Sequence, residues 1–321
     1  MRFDLDAQQR DFAASIDAAL AAADVPGAVR AWSGGDTGPG RKVWARLTDL
    51  GVTALAVPDR FDGLDAHPVD LVVALERLGR WCVPGPITES IAVAPVLLAD
   101  DERCAELAAG DLIATVALPP HVPRAVDADT AGLTLLADED GKVSVACPGE
   151  RHESVDPSRR LFDVSAGESK RKAWNADVAR AYEFGALATA AQLVGAGQAL
   201  LDAAVGYAKQ RAQFGRIIGS YQAIKHKLAD VHIALELARP LVYGAALSLA
   251  DRSSDTARDV SAAKAAASDA ALLAARSALQ THGAIGFTAE HDLSLWLLRV
   301  QALRPVWGDP AAHRRRVLEA L

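Results

Sequence analysis

The sequence YAKQRAQFGRIIGSYQAIKHKLADV, residues 207–231, joins a polar and aromatic opening to a regular helical pattern. From residue 217 onward its apolar residues recur three or four positions apart, which predicts one continuous apolar face of a helix. The residues on this face are Ile217, Tyr221, Ile224, Leu228, Val231 and Leu235. The helical pattern needs none of Arg211, Gln213 and Phe214, which precede it, so these three residues require a separate explanation.

The composition of the chain restricts which functions can explain these three residues. A chain of 321 residues, half of them hydrophobic, can bury a large core and accommodates two or three subdomains. Its net charge of −7 argues against a nucleic-acid ligand, because proteins that bind the phosphate backbone carry a basic excess or a basic stripe. The short basic run from His313 to Arg316 is isolated and is typical of a solvated helix end.

Cysteine usage and the N-terminus indicate the compartment. Cys82, Cys104 and Cys147 are odd in number and far apart, which fits neither a disulfide framework nor a CxxC site. The first twelve residues show no apolar core of the signal-peptide type. We therefore expect a soluble cytoplasmic protein.

One uncharged segment, from Phe184 to Leu201, has about the length that spans a bilayer. Its glutamines, glycines and many alanines make it only weakly hydrophobic, so we predict a helix buried on all sides within the protein rather than a membrane span.

The pattern along the chain predicts three regions: an N-terminal helical domain over 1–111, a small β domain over 112–177 and a C-terminal helical bundle over 178–321. Apolar residues spaced three and four apart, separated by Gly-Pro turns, dominate the first region. Short β-prone runs between Asp, Gly and Pro fill the second. Alanine-rich helical segments fill the third and favour close helix packing.

Several apparent motifs fail on inspection. Residues 34–43, GGDTGPGRKV, have the glycine spacing of a phosphate-binding loop but lack its Lys-Ser/Thr ending. Residues 194–200, VGAGQAL, lack the third glycine and the preceding strand of a dinucleotide site. We therefore interpret these glycines as a place where two helices pack closely. His226 and His232 are six apart and do not share a helix face. We expect no metal site.

Two longer segments carry a resemblance to a known family. Residues 207–231 are similar to the acyl-CoA dehydrogenase pattern of Tyr, Arg, Gln-Phe-Gly, an aromatic-Gln pair and Leu-Ala-Asp. Residues 279–299, LQTHGAIGFTAEHDLSLWLLR, resemble the same family's run of Gln, His-Gly-Gly, Gly-aromatic-Thr and Glu. The resemblance implies the acyl-CoA dehydrogenase fold, mainly α with a small middle β domain and a C-terminal four-helix bundle, and an FAD-dependent α,β-dehydrogenation of an acyl-CoA.

The resemblance also assigns cofactor-binding residues. In the family, residues of these two motifs reach across a subunit interface to FAD held mainly by the neighbouring chain. On this basis Arg211, with Gln213 beside it, binds the pyrophosphate, and Phe214 packs against the flavin or its ribityl chain. Gln280, Gly283 and Gly286 line the adenosine half, where glycine permits close approach of the backbone.

The catalytic base departs from the family pattern. The family's usual glutamate lies a fixed distance beyond the glutamine of the second motif, and counting on from Gln280 reaches Trp307, which cannot accept a proton. Some members place the base on the helix before the first motif, and counting back from Arg211 reaches Gly185. Glu183, two residues away, is an alternative base if the register is shifted, and Asp309 is a more remote candidate.

The β region also lacks the family's Thr, Ser and Trp motifs around the flavin ring. A chain that keeps the trans-acting half of a cofactor site without the ring pocket and the base resembles one subunit of the actinobacterial heteromeric (α2β2) acyl-CoA dehydrogenases, which act on CoA esters of steroid side chains. The implied partners are an acyl-CoA substrate, a second acyl-CoA dehydrogenase chain and an electron-transfer flavoprotein.

Two alternatives stay open at this point. One is a self-sufficient homo-oligomeric acyl-CoA dehydrogenase that uses Glu183. The other is a flavin-free scaffold or regulatory subunit, which would have no need for both Arg211 and Gln280.

Overall fold

The computed structural model describes residues 4–167 and 173–321, so part of the predicted β region, residues 168–172, lies outside the described residues. The N-terminal part is helical: α1 (Ala7–Ala21), α2 (Val25–Ser33), α3 (Gly38–Asp49), α4 (Pro68–Arg80), α5 (Ala94–Leu97) and α6 (Arg103–Ala108). A π-helical segment, Thr88–Val93, leads directly into α5. The start of α1 is fixed by a capping box, in which Asp6 and Gln9 exchange side-chain to backbone hydrogen bonds.

Short strands follow: β1 (Ala114–Ala117), β2 (Ala125–Val126), β3 (Leu133–Ala137), β4 (Lys142–His152), β5 (Leu161–Ala166) and β6 (Trp174–Asn175). Their order in the sheet is β1-β3-β4-β5-β2, with β6 also paired to β4. The β1 and β3 pair is parallel and the other pairs are antiparallel. This is the small β region that the turn-rich sequence predicts.

Long helices form the rest of the chain: α7 (Val178–Gln210), α8 (Gln222–Ala250), α9 (Thr256–His282), α10 (Leu293–Leu303) and α11 (Pro310–Glu319). The predicted fold class, helices followed by a small β domain and a helical bundle, is confirmed. One detail is wrong, because the apolar face was predicted to begin at Ile217. Ile217 lies in a two-stranded hairpin of β7 (Ala212–Gln213) and β8 (Arg216–Ile217), and α8 begins five residues later at Gln222.

Glycines set the closest helix crossing. A Cβ atom on Gly195 of α7 would lie 1.9 Å from the carbonyl oxygen of Glu76 in α4. A Cβ atom on Gly79 of α4 would lie 2.1 Å from the carbonyl oxygen of Gln192. The two backbones therefore touch where VGAGQAL was interpreted as a helix contact rather than a nucleotide site.

Two helices, α7 and α8, are long and apolar enough to cross a membrane by length and composition alone. The most apolar 18-residue window of α7 is 89% buried inside the protein, and residues 184 to 197 are all buried. The prediction that this segment is a helix enclosed by protein is confirmed. The corresponding window of α8 is only 39% buried, which leaves an apolar face uncovered.

A buried ion pair ties the three regions together. Arg299 of α10, 2% exposed, donates through Nε to Asp156 Oδ2 at 2.6 Å. The same guanidinium donates through Nη1 to the Val83 carbonyl at 2.9 Å and through Nη2 to Ser158 Oγ at 2.9 Å. One side chain thus joins the C-terminal bundle to the β region and to the segment after α4.

Asp156→Ala leaves the Arg299 guanidinium buried without its carboxylate, so we expect the free energy of unfolding to fall by about 3–5 kcal/mol. Urea denaturation measures this loss. The matched control is Asp269→Ala, which breaks the exposed pair of Asp269 with Arg314 and should cost less than about 1 kcal/mol. Equal losses in the two variants would contradict the joining role of Arg299.

Candidate functional site

The hairpin between α7 and α8 presents the residues of the first motif. Phe214 and Gly215 form its two-residue turn with φ values of 51° and 79°. Positive φ at both positions is the requirement of a type I′ turn, which suits glycine and is unusual for a bulky residue such as phenylalanine. The hairpin is fixed to the bundle by two hydrogen bonds, from the Ile218 N–H to the Arg211 carbonyl at 2.8 Å and from the Tyr221 hydroxyl to the Gln213 carbonyl at 3.2 Å.

Phe214 is 92% exposed at the tip of this hairpin. Arg211 and Gln213 are exposed as well. A fully solvated phenylalanine ring held in a strained turn contributes nothing to the core of its own chain, and exposed apolar groups of this kind mark surfaces that meet a partner or ligand.

The residues of the second motif lie at the end of α9. Gly283, with φ 68°, terminates that helix. Gln280 is exposed and its Oε1 accepts a hydrogen bond from Lys227 Nζ of α8. Gly286 is buried, and a Cβ atom there would lie 3.2 Å from Leu279, His282 and Leu293. Phe287 beside it is 76% exposed.

The structure brings the two motifs to the same end of the bundle. Tyr207, near the end of α7, stacks on His282, at the end of α9, with ring centroids 4.4 Å apart. Shallow grooves, each of about 450 Å³, lie beside Gln280, one running toward Lys227 and Asp230 and the other toward Gly283 and Phe287. At this end of the bundle Arg211, Gln213, Phe214, Gln280 and Gly283 are exposed and Gly286 is buried, and the contact of these predicted residues with FAD stays a prediction.

Trp307 lies in the opposite part of the molecule and is completely buried. Its ring packs on Gly185 so closely that a Cβ atom on Gly185 would lie 2.4 Å from the indole. The two positions at which the sequence resemblance predicts a base are thus in direct contact, and they hold an indole and a glycine instead of a carboxylate.

The loop carrying Trp307 is held in place from α9 and α11. Lys264, fully buried, donates to the Arg304 carbonyl at 2.9 Å and to the Gly308 carbonyl at 3.1 Å. His313 Nε2 lies 2.8 Å from the Trp307 carbonyl, to which it donates. Burial lowers the pKa of Lys264 to about 7 and that of His313 to about 4.

Sequence reasoning missed Glu89, which the fold places against Trp307. Glu89 is 1% exposed and its Oε1 accepts a hydrogen bond from Trp307 Nε1 at 3.3 Å. Its Oε2 has no hydrogen-bond partner among the described residues. Glu89 lies on the π-helical segment, a geometry enriched at functional sites. The available signal was an acidic residue inside the otherwise uncharged run from Val83 to Leu98.

The two alternative carboxylates have other partners. Glu183 Oε1 accepts a hydrogen bond from Arg316, whereas its buried Oε2 has none among the described residues. Burial raises the pKa of Glu183, and Arg316 opposes this. Glu183 lines a cavity of about 250 Å³ with His121 and Tyr182. Asp309 caps α11 by accepting the Ala312 N–H at 2.7 Å, and backbone hydrogen bonds lower its pKa.

Glu183 lies far along α7 from the exposed surface at the hairpin. Glu183 lies near the start of α7 and Arg211 follows its last residue, so at the rise of an α-helix the two are about 40 Å apart. Arg211 therefore cannot serve a reaction centre beside Glu183 or Trp307 of its own chain.

Among residues 4–167 and 173–321, Glu150, His152 and Asp163 place potential ligand atoms within 4.8 Å of one another. Asp163 also accepts a hydrogen bond from Arg124 at 2.9 Å, which offsets its charge. The three side chains are exposed or half-buried, and such acidic groups are common without a metal, so the absence of a metal site stays a prediction.

Comparison with known proteins identifies the family of this chain. Residues 6–100 match the family model of the acyl-CoA dehydrogenase N-terminal domain and residues 175–321 that of the C-terminal domain. The chain belongs to the acyl-CoA dehydrogenase family, whose members are FAD-dependent oxidoreductases.

Acyl-CoA dehydrogenase IpdE2 of Mycobacterium tuberculosis is 31% identical over 299 residues, covering 91% of this chain and 90% of that protein. Among solved structures, the Tcur3481-Tcur3483 steroid ACAD variant matches with a TM-score of 0.85 at 20% identity, covering 98% of this chain and 97% of that chain. The ChsE4-ChsE5 complex of Mycobacterium tuberculosis matches with a TM-score of 0.85 at 21% identity, covering 99% and 98%.

Gly185→Ala should lower the free energy of unfolding by about 1–3 kcal/mol, because its methyl group overlaps the Trp307 ring. Gly206→Ala in the same helix is the matched control. A Cβ atom there meets nothing within 4 Å, and alanine should stabilise the helix by about 0.5–1 kcal/mol.

In a Trp307→Ala background the Gly185→Ala substitution should become neutral or stabilising, which a double-mutant cycle by urea denaturation measures. The same destabilisation in both backgrounds would show that the indole is not the group in contact with Gly185.

Lys264 predicts a pH dependence of stability. Its pKa falls from 10.5 in the unfolded chain to about 7 in the folded protein, so the unfolded chain binds more protons between these values and stability should rise with pH across that window. Lys264→Met should remove this rise, and the exposed Lys225→Met should keep it. Urea midpoints from pH 7 to 10 measure the slope, and an unchanged slope in Lys264→Met would contradict the assignment.

Proposed function

We propose that this chain is the non-basic subunit of a heteromeric acyl-CoA dehydrogenase and that it completes the FAD site of a catalytic partner chain. The observation that carries the proposal is the separation of about 40 Å between the exposed Arg211–Phe214 hairpin and a base position filled by Trp307. On this proposal the exposed hairpin contacts another chain, whereas Trp307 fills the position at which this chain would carry its own base.

The exposed surface has the chemistry that FAD requires. Arg211 offers a permanently charged planar guanidinium to the pyrophosphate, and Phe214 offers a free aromatic face. Gln280 offers an amide, and the backbone at Gly283 is open to close approach because nothing lies within 4 Å of a Cβ position there. When bound in the assembled enzyme, FAD supplies the hydride acceptor for dehydrogenation of an acyl thioester.

A further surface favours assembly. Ile233, Leu237 and Leu241 of α8 are 55%, 68% and 44% exposed, and their spacing of four places them on one helix face. Exposed apolar rows of this kind mark interfaces between chains. The ChsE4-ChsE5 complex, a structural neighbour, supports a second acyl-CoA dehydrogenase chain as the occupant.

The substrate we propose is an acyl-CoA with a steroid side chain, supported by the structural likeness to the Tcur3481-Tcur3483 steroid ACAD. The partner chain supplies the base, the assembly works in the cytoplasm, and an electron-transfer flavoprotein receives the electrons.

One observation favours the second candidate, a homo-oligomer that uses Glu183 as its base. The buried Oε2 of Glu183 has no hydrogen-bond partner among the described residues.

Co-expression of the chain with a full-length acyl-CoA dehydrogenase from its gene neighbourhood tests the proposal. We expect the chain alone to be colourless and the purified pair to carry flavin absorbance and to oxidise an acyl-CoA. Arg211→Ala should lower the FAD content of the pair several-fold, because the pyrophosphate loses its cation. The matched control Arg151→Ala removes an exposed arginine of β4, far from the hairpin, and should retain FAD.

A yellow and active chain without any partner would overturn the heteromeric reading. Loss of that activity in Glu183→Gln would then assign the base to Glu183. Unchanged flavin content in the Arg211→Ala pair would remove the role of the hairpin across the interface.

A further inference from the structure

A cleft of about 750 Å³ lies on the far side of the molecule from the hairpin, where the end of the N-terminal helical region meets the start of α7 and the turn after α8. We propose that this cleft binds an apolar carboxylate, such as a fatty acid or a steroid acid, through the guanidinium groups of Arg180 and Arg252. The proposal does not depend on the heteromeric function.

The cleft has an apolar interior. Its walls include Pro95, Val96, Leu97, Trp174 and Phe184. Trp174 is held in place by donating through Nε1 to the Leu97 carbonyl at 2.9 Å. A cavity of this volume with hydrophobic and aromatic walls and a few convergent polar groups suits a small-molecule ligand with an apolar body.

Two arginines converge on this apolar surface. Arg180 is half-buried, lies 5.1 Å over the Phe184 ring and donates through Nη1 to the Leu249 carbonyl at 3.1 Å. Arg252 is exposed at the turn after α8, with φ 49°. Neither guanidinium forms an ion pair with a carboxylate of residues 4–167 or 173–321.

The two arginines also affect each other. Burial and the positive charge of Arg252 lower the pKa of Arg180, whereas the negative charge of Asp177 acts in the opposite direction. Both guanidinium groups therefore keep donors available, and an incoming carboxylate relieves their repulsion. Planar guanidinium groups match the two oxygens of a carboxylate.

The acidic residues along the cleft are mostly occupied. Asp100 pairs with Arg60 and Asp101 with Arg103, each at 2.7 Å. Asp177 caps α7 by accepting the Arg180 N–H at 3.0 Å. Asp65 is the remaining acid of the lining and is exposed. The cations of the lining are Arg180 and Arg252, and they favour an anionic ligand where they face the apolar walls, while Asp65 and Asp177 contribute negative charge elsewhere in the lining.

The cleft is distinct from the cavity beside Glu183. Arg180 and Phe184 are four residues apart on one face of α7, whereas Glu183 and Tyr182 line the smaller cavity with His121 and Arg316. A ligand in the cleft therefore contacts neither the closed base position nor the hairpin.

Isothermal titration of the full-length chain with decanoate tests the proposal, with decan-1-ol and decyltrimethylammonium as probes of the same chain length. We expect decanoate to bind at least tenfold more tightly than either comparison probe. Arg252→Gln should weaken decanoate binding about tenfold, which corresponds to the loss of one charge-assisted hydrogen bond. The matched control Arg151→Gln, an exposed arginine of β4, should bind as the wild type does.

A second variant probes the apolar part of the cleft. Ala99 is half-buried and lines it, so Ala99→Trp should fill the space and abolish binding while the chain keeps its helical circular dichroism. Equal affinity for decanoate and decan-1-ol would show an apolar groove without an anion site, and tighter binding of the ammonium probe would reverse the charge assignment. Absence of decanoate binding, or equal binding by wild type and Arg252→Gln, would overturn the proposal.

Discussion

The contact between Trp307 and Gly185 fixes how the loop after α10 packs against α7. A Cβ atom at residue 185 would lie 2.4 Å from the indole, so the helix and the loop fit together only because one residue has no side chain. Lys264 and His313 hold the loop backbone from two other helices. The indole is thus packed between α7 and a loop held from α9 and α11, and neither of the two positions at which the resemblance predicts a base carries a carboxylate.

The length of α7 separates the Trp307 contact from the hairpin. The helix runs 33 residues from the region of Trp307 to the hairpin, and its residues 184 to 197 are all buried. A residue at the hairpin therefore lies about 40 Å from Gly185 and Trp307 of its own chain, and under the proposed function it acts on a site in a partner chain. The 92% exposure of Phe214 in a positive-φ turn fits this arrangement, since a ring that serves its own chain would be buried.

The sequence predicts the parts of the fold that depend on local pattern. Helical periodicity, turn residues and the two motifs give the order of helices, strands and bundle, and composition alone indicates that the uncharged part of α7 is enclosed. The sequence predicts an apolar helix face from Ile217 because this residue continues the helical spacing. In the structure the turn at Phe214 and Gly215 places Ile217 in the second strand of the hairpin instead. Glu89 and the Arg180 cleft were missed because they depend on contacts between residues far apart in the chain, which periodicity does not report.

Glu89 shows that the closed site is not a simple apolar core. The other buried carboxylates face cations: Asp156 pairs with Arg299, Asp127 with Arg160, and Glu76 with Arg77 and Arg239. Among the described residues Glu89 receives a hydrogen bond only from the indole N–H of Trp307, and a buried carboxyl group with one neutral donor is costly compared with an apolar side chain of the same size. Its position on a π-helical segment thus places an acidic side chain beside Trp307, at the predicted base position.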